Sequence, residues 1–377
     1  LAILRDTEPE LHLRSVTLTA KDKICLCETR ECTPEACPYA NGYYARIKGA
    51  LWDVLDVPCL TAETLQEYAE RHTVCPFELG LDSSLWSDVI IGDYNYLFDP
   101  VVHLVRFFES AGDYIFLVDE AHNLPGRARE MHSAALTKTS FYEAKKLLGK
   151  GKSSLKNALT KVNDVFIEWR HRAEEETAAR DGRFGKTFFL KERSEEFDHL
   201  LNRLCEPLEA WLDDHREPDE THTALLQLYF DVRAWLRVAD TFDDHFVLQI
   251  TASGSEVRAA QLCLDPSAFL ADSFALGRAA VLFSATLAPA SYYKDLCGVP
   301  EERAVALRSP FPAGNQGLFC IGNVSTRYKD RDASLAIVEE SLATMVRARC
   351  GNYLAFFPSY AYMEQAYAQF KEHCPEI

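Results

Sequence analysis

Residues 114–123 (YIFLVDEAHN) carry an apolar stretch into two adjacent carboxylates, Asp119 and Glu120, with His122 two positions further on. An apolar strand ending in paired acids at the mouth of a parallel sheet suits phosphate hydrolysis. One carboxylate can hold Mg²⁺ through its water shell, and the next can orient or deprotonate the attacking water. Ligands of this kind bind at the carboxyl edge of such sheets. The plainer reading is that both acids cap the helix that follows. A second apolar run, 281–289 (VLFSATLAP), ends in Ser284 and Thr286. Hydroxyls at a strand end can contact an acidic site and report its occupancy, and they equally make helix N-caps.

The cysteines offer a different chemistry. Six of the twelve (Cys25, Cys27, Cys32, Cys37, Cys59 and Cys75) fall within the first 75 residues, and the rest are scattered singly. In a chain this long with no legible export leader, such clustering favours metal ligation over a disulfide framework. The same lack of a leader makes the expected location cytoplasmic. Four thiolates drawn from the cluster can hold an iron–sulfur centre or zinc, and spacing does not choose between them.

These residues need elements to place them. Short apolar runs recur at 88–92 (DVIIG), 113–119 (DYIFLVD), 279–284 (AAVLFS), 317–322 (GLFCIG) and 352–358 (NYLAFFP). That is the pattern of parallel strands covered on both faces. Helical spacing over 333–349 joins the last two into a βαβ unit. From 136 to 248 the strand signal nearly vanishes, which predicts an all-helical insertion inside one α/β domain. Residues 20–80, rich in Cys, Pro, Tyr and Gly, read as a second insertion.

The chain has 377 residues, 47% apolar and 26% charged, with a formal net charge of −17. This composition is that of an ordinary globular protein and excludes disordered, collagen-like and coiled-coil readings. No apolar run is long enough to span a membrane. The acidic balance argues against coating nucleic acid by bulk charge. Between 138 and 172, however, nine lysines and arginines, Lys145 and Lys152 among them, face three acids, a local charge of +6. That stretch suits a phosphate-tracking face or a solvated helix surface. Tyr43 and Arg46 mix a ring with a cation, and Tyr94 and Tyr96 share one face of an extended segment. Both pairs suit stacked bases; the plainer readings are that the tyrosines of the cysteine-rich segment pack around its metal centre and that Tyr94 and Tyr96 lie in the core.

In combination these motifs resemble the XPD/DinG-type iron–sulfur DNA helicases of superfamily 2, in that family's order and along nearly the whole chain. The matching segments are 21–25 (KDKIC), Cys32, 37–40 (CPYA), 75–79 (CPFEL) and the tyrosine-containing 93–100 (DYNYLFDP). Residues 119–122 (DEAH) match motif II and 284–287 (SATL) motif III, while 308–311 (RSPF) and 355–360 (AFFPSY) look like the opening of a second motor domain.

The resemblance implies an α/β fold in several parts. A RecA-like parallel-sheet motor domain (1–19, 81–135 and 249–305) is interrupted by an iron–sulfur cluster domain (20–80) and an all-helical arch domain (136–248). The start of a second RecA-like domain follows (306–377). It implies a [4Fe–4S] cluster on Cys25, Cys32, Cys37 and Cys75, with Cys27 the substitute for Cys25 and Cys59 a bystander. ATP and Mg²⁺ belong at Asp119 and Glu120, with His122 coupled to Ser284 and Thr286. The implied partner is single-stranded or forked DNA, translocated 5′→3′, with Tyr43, Arg46, Tyr94, Tyr96, Lys145 and Lys152 as candidate contacts.

The family's phosphate-binding loop is expected upstream of residue 1, and its motifs V and VI beyond residue 377. The chain therefore reads as a segment of a longer helicase, inactive alone. Two decoy segments, 151–153 (GKS) and 185–187 (GKT), have Lys146 and Arg180 where a phosphate-binding loop needs its first glycine. The rival readings are a non-enzymatic DNA-binding module whose cluster senses redox state, and a zinc-structured scaffold.

Overall fold

The computed structural model describes residues 3, 7–8, 10–149, 151, 153–179, 186–217, 219–299, 303–322, 324–349, 351–375 and 377. The chain divides into two compact units, Leu1–Ala304 and Val305–Ile377. Nine strands lie among the described residues: β1 (Ser15–Thr17), β2 (Cys59–Leu60), β3 (Val89–Ile91), β4 (Ile115–Val118), β5 (Ala134–Thr137), β6 (Lys186–Leu190), β7 (Phe246–Ser253), β8 (Glu256–Cys263) and β9 (Ala279–Leu282).

The parallel pairings are β2-β1-β3 and β4-β9. Strands β3, β4 and β9 are the apolar runs expected at 88–92, 113–119 and 279–284. In the second set Ile115 stands opposite Ala279 and Val118 opposite Leu282. Parallel neighbours end at the same edge, so His122 and Ser284, 162 positions apart, leave the sheet together. Two backbone bonds carry the ladder past the strand ends, Phe283 N–H to the Val118 carbonyl (3.0 Å) and Ala121 N–H to the Phe283 carbonyl (3.1 Å). Beneath this edge Val118, Ala121, Leu124, Ala128, Leu270 and Cys297 are buried together.

The expectation of an all-helical insertion over 136–248 is corrected. Its helices, Lys138–Leu147, Ser154–Ala179, Glu195–Asp214 and Glu220–Asp240, accompany a four-stranded antiparallel sheet ordered β5-β8-β7-β6. Along β7, Phe246, Leu248, Ile250 and Ala252 alternate inward. Ser253 then pairs with Glu256 across the turn residues Gly254 and Ser255, with Gly254 at φ +61°, the left-handed position that a tight hairpin requires. The sheet eludes a helical reading because β5, β7 and β8 stand at the flanks of long amphipathic helices. Strand β6, the one within, is only five residues long. The core is aromatic: Phe166 meets Phe141, Trp169 and Phe197, and Trp235 meets Phe197, at centroid distances of 5.4–5.7 Å.

Residues 20–80 form a small helical cap. Helices Tyr43–Val54, Ala62–His72 and Pro76–Ser83 enclose Ile47, Ala50, Leu65, Ala69 and Leu79. Thr61 caps the second of these by accepting the Thr64 N–H at 3.3 Å, and Pro76 opens the third. The cap core is continuous with Val16 of β1, which anchors it to the three-stranded sheet.

In Val305–Ile377 the helix expected over 333–349 is present as Arg331–Ala348, and Tyr360–His373 packs on it. Buried Glu339 accepts from Gln369 Nε2 at 2.6 Å and meets His373 Nδ1 at 2.9 Å. The strands expected at 317–322 and 352–358 are corrected, since neither segment is extended in a ladder. Leu318, Phe319, Leu354 and Phe356 are 81–91% exposed. A parallel strand needs neighbours to satisfy its backbone, and none stands beside these runs among the described residues of this unit. No described helix is long and apolar enough to cross a membrane.

Candidate functional site

Asp119 and Glu120 leave β4 at its carboxyl end, both exposed. Glu120 adopts a left-handed backbone, φ +45° and ψ 42°. A β-carbon is crowded there, so neighbours must hold the conformation. Asp119 Oδ1 accepts the Glu120 N–H at 2.7 Å, and the Asn123 N–H reaches the Glu120 carbonyl at 2.9 Å. The Tyr94 hydroxyl donates to the carbonyls of Asp119 and Glu120, the latter at 3.1 Å.

Ser284 is the hub of the site. Its hydroxyl donates to Glu120 Oε2 at 3.1 Å, leaving its lone pairs for His122 Nδ1 (2.8 Å) and the Thr286 N–H (3.1 Å). This arrangement makes Nδ1 the protonated nitrogen of His122, which also lies 3.2 Å from Glu120 Oε2. Thr286 Oγ1 adds a longer contact to Ser284 at 3.4 Å. Glu120 makes no side-chain cap to the residues that follow, so the plain capping reading fails for it. An exposed acid pair, one member tied to an imidazole and a hydroxyl, can hold a hydrated divalent cation and orient a water.

The expected DNA contacts are dispersed. Tyr94 lies under the acid pair, where burial, then the charges of Asp119, Glu120 and Asp93, push its hydroxyl pKa up. Tyr96 is half-buried against the cap core. Tyr43 is corrected from a stacking residue to a core residue: it is 8% exposed and donates to Asp82 Oδ2 at 2.8 Å. The exposed ring is its neighbour Tyr44 at 88%, because one step along a helix turns a side chain by about 100°. Arg46 is engaged with backbone carbonyls of Pro38, Asn41 and Thr73. Lys145 is half-buried on Lys138–Leu147. Lys152, in the GKS decoy, lies outside the described residues, as does residue 185 of the GKT decoy.

The cap cysteines are free thiols, half-buried at Cys25, Cys27, Cys37 and Cys75 and exposed at Cys32. Cys27 and Cys37 Sγ stand 3.9 Å apart. Burial, then the hydrogen bond and charge of Cys37 and the nearness of Cys25, push the Cys27 thiol up to about 11. Cys27, the substitute for Cys25 in the expected ligand set, is thus the thiol in contact with Cys37. Cys75 precedes helix Pro76–Ser83; burial raises its pKa, opposed by the N–H groups of Glu78 and Phe77. Burial lowers the pKa of Lys21, but the charges of Cys32, Glu78 and Cys75 together raise it, and its ammonium lies 3.5 Å from Glu78 Oε1. Among the described residues no three ligands stand at metal-binding distances. The donor set itself, several cysteines gathered in one small cap, suits a thiolate-bound metal or cluster. Cys59 sits in β2, opposite Ser15.

Residues 10–141 match the DEAD_2 family. The matched segment contains the cysteine cap and the acid pair. The General transcription and DNA repair factor IIH helicase subunit XPD of Schizosaccharomyces pombe is 29% identical over 223 residues, covering 54% of this chain and 28% of that protein. The ATP-dependent DNA helicase CHL1 of Coccidioides immitis is 20% identical over 350 residues, covering 83% of this chain and 40% of that one. A Regulator of telomere elongation helicase 1 homolog from Anopheles gambiae is 28% identical over 139 residues, 33% of this chain and 14% of its own length. The chain thus spans less than half the length of each of these relatives. A solved XPD helicase structure superposes with a TM-score of 0.52 at 18% identity, covering 98% of this chain and 64% of that one, which is a likeness of fold.

Proposed function

For a chain related to the XPD/DinG-type helicases of superfamily 2, we propose that the β4–β9 edge is the hydrolysis site of an ATP-dependent DNA helicase. One observation carries the reading: Glu120, Ser284 and His122 form a single hydrogen-bonded network across two parallel strands. Asp119 would hold Mg²⁺ through its water shell, and Glu120 would orient or deprotonate the water attacking the terminal phosphate. Ser284 and His122 join the acid to the next strand, so a change at the nucleotide is felt at the end of β9. The expected track is single-stranded or forked DNA, moved 5′→3′. In the full-length protein Glu120→Gln should cut ATP turnover at least about 100-fold while DNA binding persists. Undiminished turnover sinks the assignment.

In the cap, Cys25, Cys32, Cys37 and Cys75 would hold a [4Fe–4S] cluster, with Cys27 the substitute for Cys25. The cluster would serve as a structural and redox-capable centre. A zinc-structured cap is the second reading, favoured by the Cys27–Cys37 contact of 3.9 Å. Two sulfurs on one tetrahedral zinc, each about 2.3 Å from it, stand about 3.8 Å apart. Elemental analysis of anaerobically purified protein decides: iron with broad absorbance at about 400 nm supports the cluster, and stoichiometric zinc in a colourless protein overturns it.

A further inference from the structure

Arg46 has the composition of a DNA contact and the geometry of a clamp. Its Nε and Nη2 donate to the Thr73 carbonyl at 2.9 and 2.7 Å, and Nη2 also reaches the carbonyls of Pro38 (3.1 Å) and Asn41. Pro38 directly follows Cys37, and Thr73 lies two residues before Cys75. The guanidinium therefore ties the loop leaving one thiol to the turn entering another. Both turns are special. Thr73 ends helix Ala62–His72 in a left-handed conformation, φ 55°, which leaves its carbonyl turned off the helix ladder. Gly42 begins Tyr43–Val54 at φ +65°, and a β-carbon there would stand 2.8 Å from Arg46 Nη1. The glycine thus leaves the room that the fork occupies.

We propose that Arg46 is the positioning residue of the thiol site, holding the Cys37 and Cys75 segments together so that one metal centre can be shared between them. The inference rests on the cap being a thiolate metal site, whether iron–sulfur or zinc. Neutral carbonyls on three segments are matched by a planar fork with several fixed donors, which the compact ammonium of lysine does not reproduce. A phosphate contact, by contrast, needs mainly the charge, which lysine keeps. The two roles separate on that substitution.

The test uses full-length protein purified anaerobically as wild type, Arg46→Lys, Arg46→Gln and Gly42→Ala. Iron and zinc are both counted by elemental analysis, and metal loss is timed in air and under chelator. Far-UV circular dichroism confirms that the helices persist. Gly42→Ala, which keeps the arginine but crowds its fork and strains a left-handed backbone position, serves where Arg46→Gln loses helix content. The expected result is metal loss about tenfold faster in all three variants. Wild-type metal content and lifetime in folded Arg46→Lys and Arg46→Gln overturn the clamp alone. A wild-type protein that holds neither metal overturns the thiol-site reading, and the clamp with it.

Discussion

The edge of β4 and β9 and the cysteine cap both gather residues from separate stretches of chain, by different physical means. At the edge, strand register does the gathering. Once Val118 lies opposite Leu282, backbone bonds at Phe283 and Ala121 follow, and Ser284 arrives beside Glu120 and His122. In the cap the thiols ride on turns and helix ends, and Cys32 stands exposed. Side chains such as Arg46 must close those loops. A site carried by ladder hydrogen bonds is preorganised before its ligand comes, whereas one carried by turns takes part of its order from what binds.

This contrast is open to attack at several points. The largest effect is expected at the edge: the Glu120→Gln protein, having lost turnover, should keep the same metal content as wild type in its cap. A simultaneous loss of metal would show that the two regions are not independent. Next in size, if the cap is the thiolate metal site proposed for it, is metal removal by chelator or by Cys37→Ser. It should expose residues 20–80 to limited proteolysis, at a cost of several kcal/mol in that region, while 134–263 stays protected. Equal protection of both before and after would break the contrast.

Ser284→Ala should lower turnover roughly tenfold, about 1.4 kcal/mol, which is near what one hydrogen bond to a charged group such as Glu120 contributes. Thr286→Val should do less, because its main bond to Ser284 comes from a backbone N–H that valine keeps. Steady-state kinetics of the two variants would rank them.

The smallest effect lies away from both sites. Burial raises the pKa of Asp198, opposed by the Trp235 hydrogen bond and Arg193. A carboxyl raised in the folded state binds its proton more tightly there. Its contribution to stability is therefore fully present below the unfolded pKa of about 3.9 and is lost as pH rises through the folded value. Asp198→Asn should accordingly melt higher than wild type at pH 7, with the gain vanishing in acid. A gain independent of pH would point to packing instead.

The acid pair was legible because β4 is short, apolar and abruptly ended by charge, and the same holds for the hydroxyls after β9. The hairpin of β7 and β8 was not, although Gly254 and the alternation from Phe246 to Ala252 were there to be read. Those strands adjoin long helices whose periodicity dominates any wide window. Tyr43 and Tyr44 show a finer limit. Both are aromatic beside cations, and only the rotation of helix Tyr43–Val54 decides which ring is buried. In Val305–Ile377 the apolar runs at 317–322 and 352–358 have strand composition without strand neighbours, and composition cannot supply a partner.

The order of side chains along one strand or turn is local, and so the sequence by itself determined Asp119 beside Glu120, the hydroxyls at 284 and 286, and the crowding of thiols before residue 75. Tertiary structure alone decided that Ser284 bridges Glu120 and His122, that Tyr94 clasps the acid pair from below, and that Arg46 faces carbonyls. Each of these contacts depends on register between strands or on the direction of a helix face, quantities set by packing between segments that no single stretch of sequence contains.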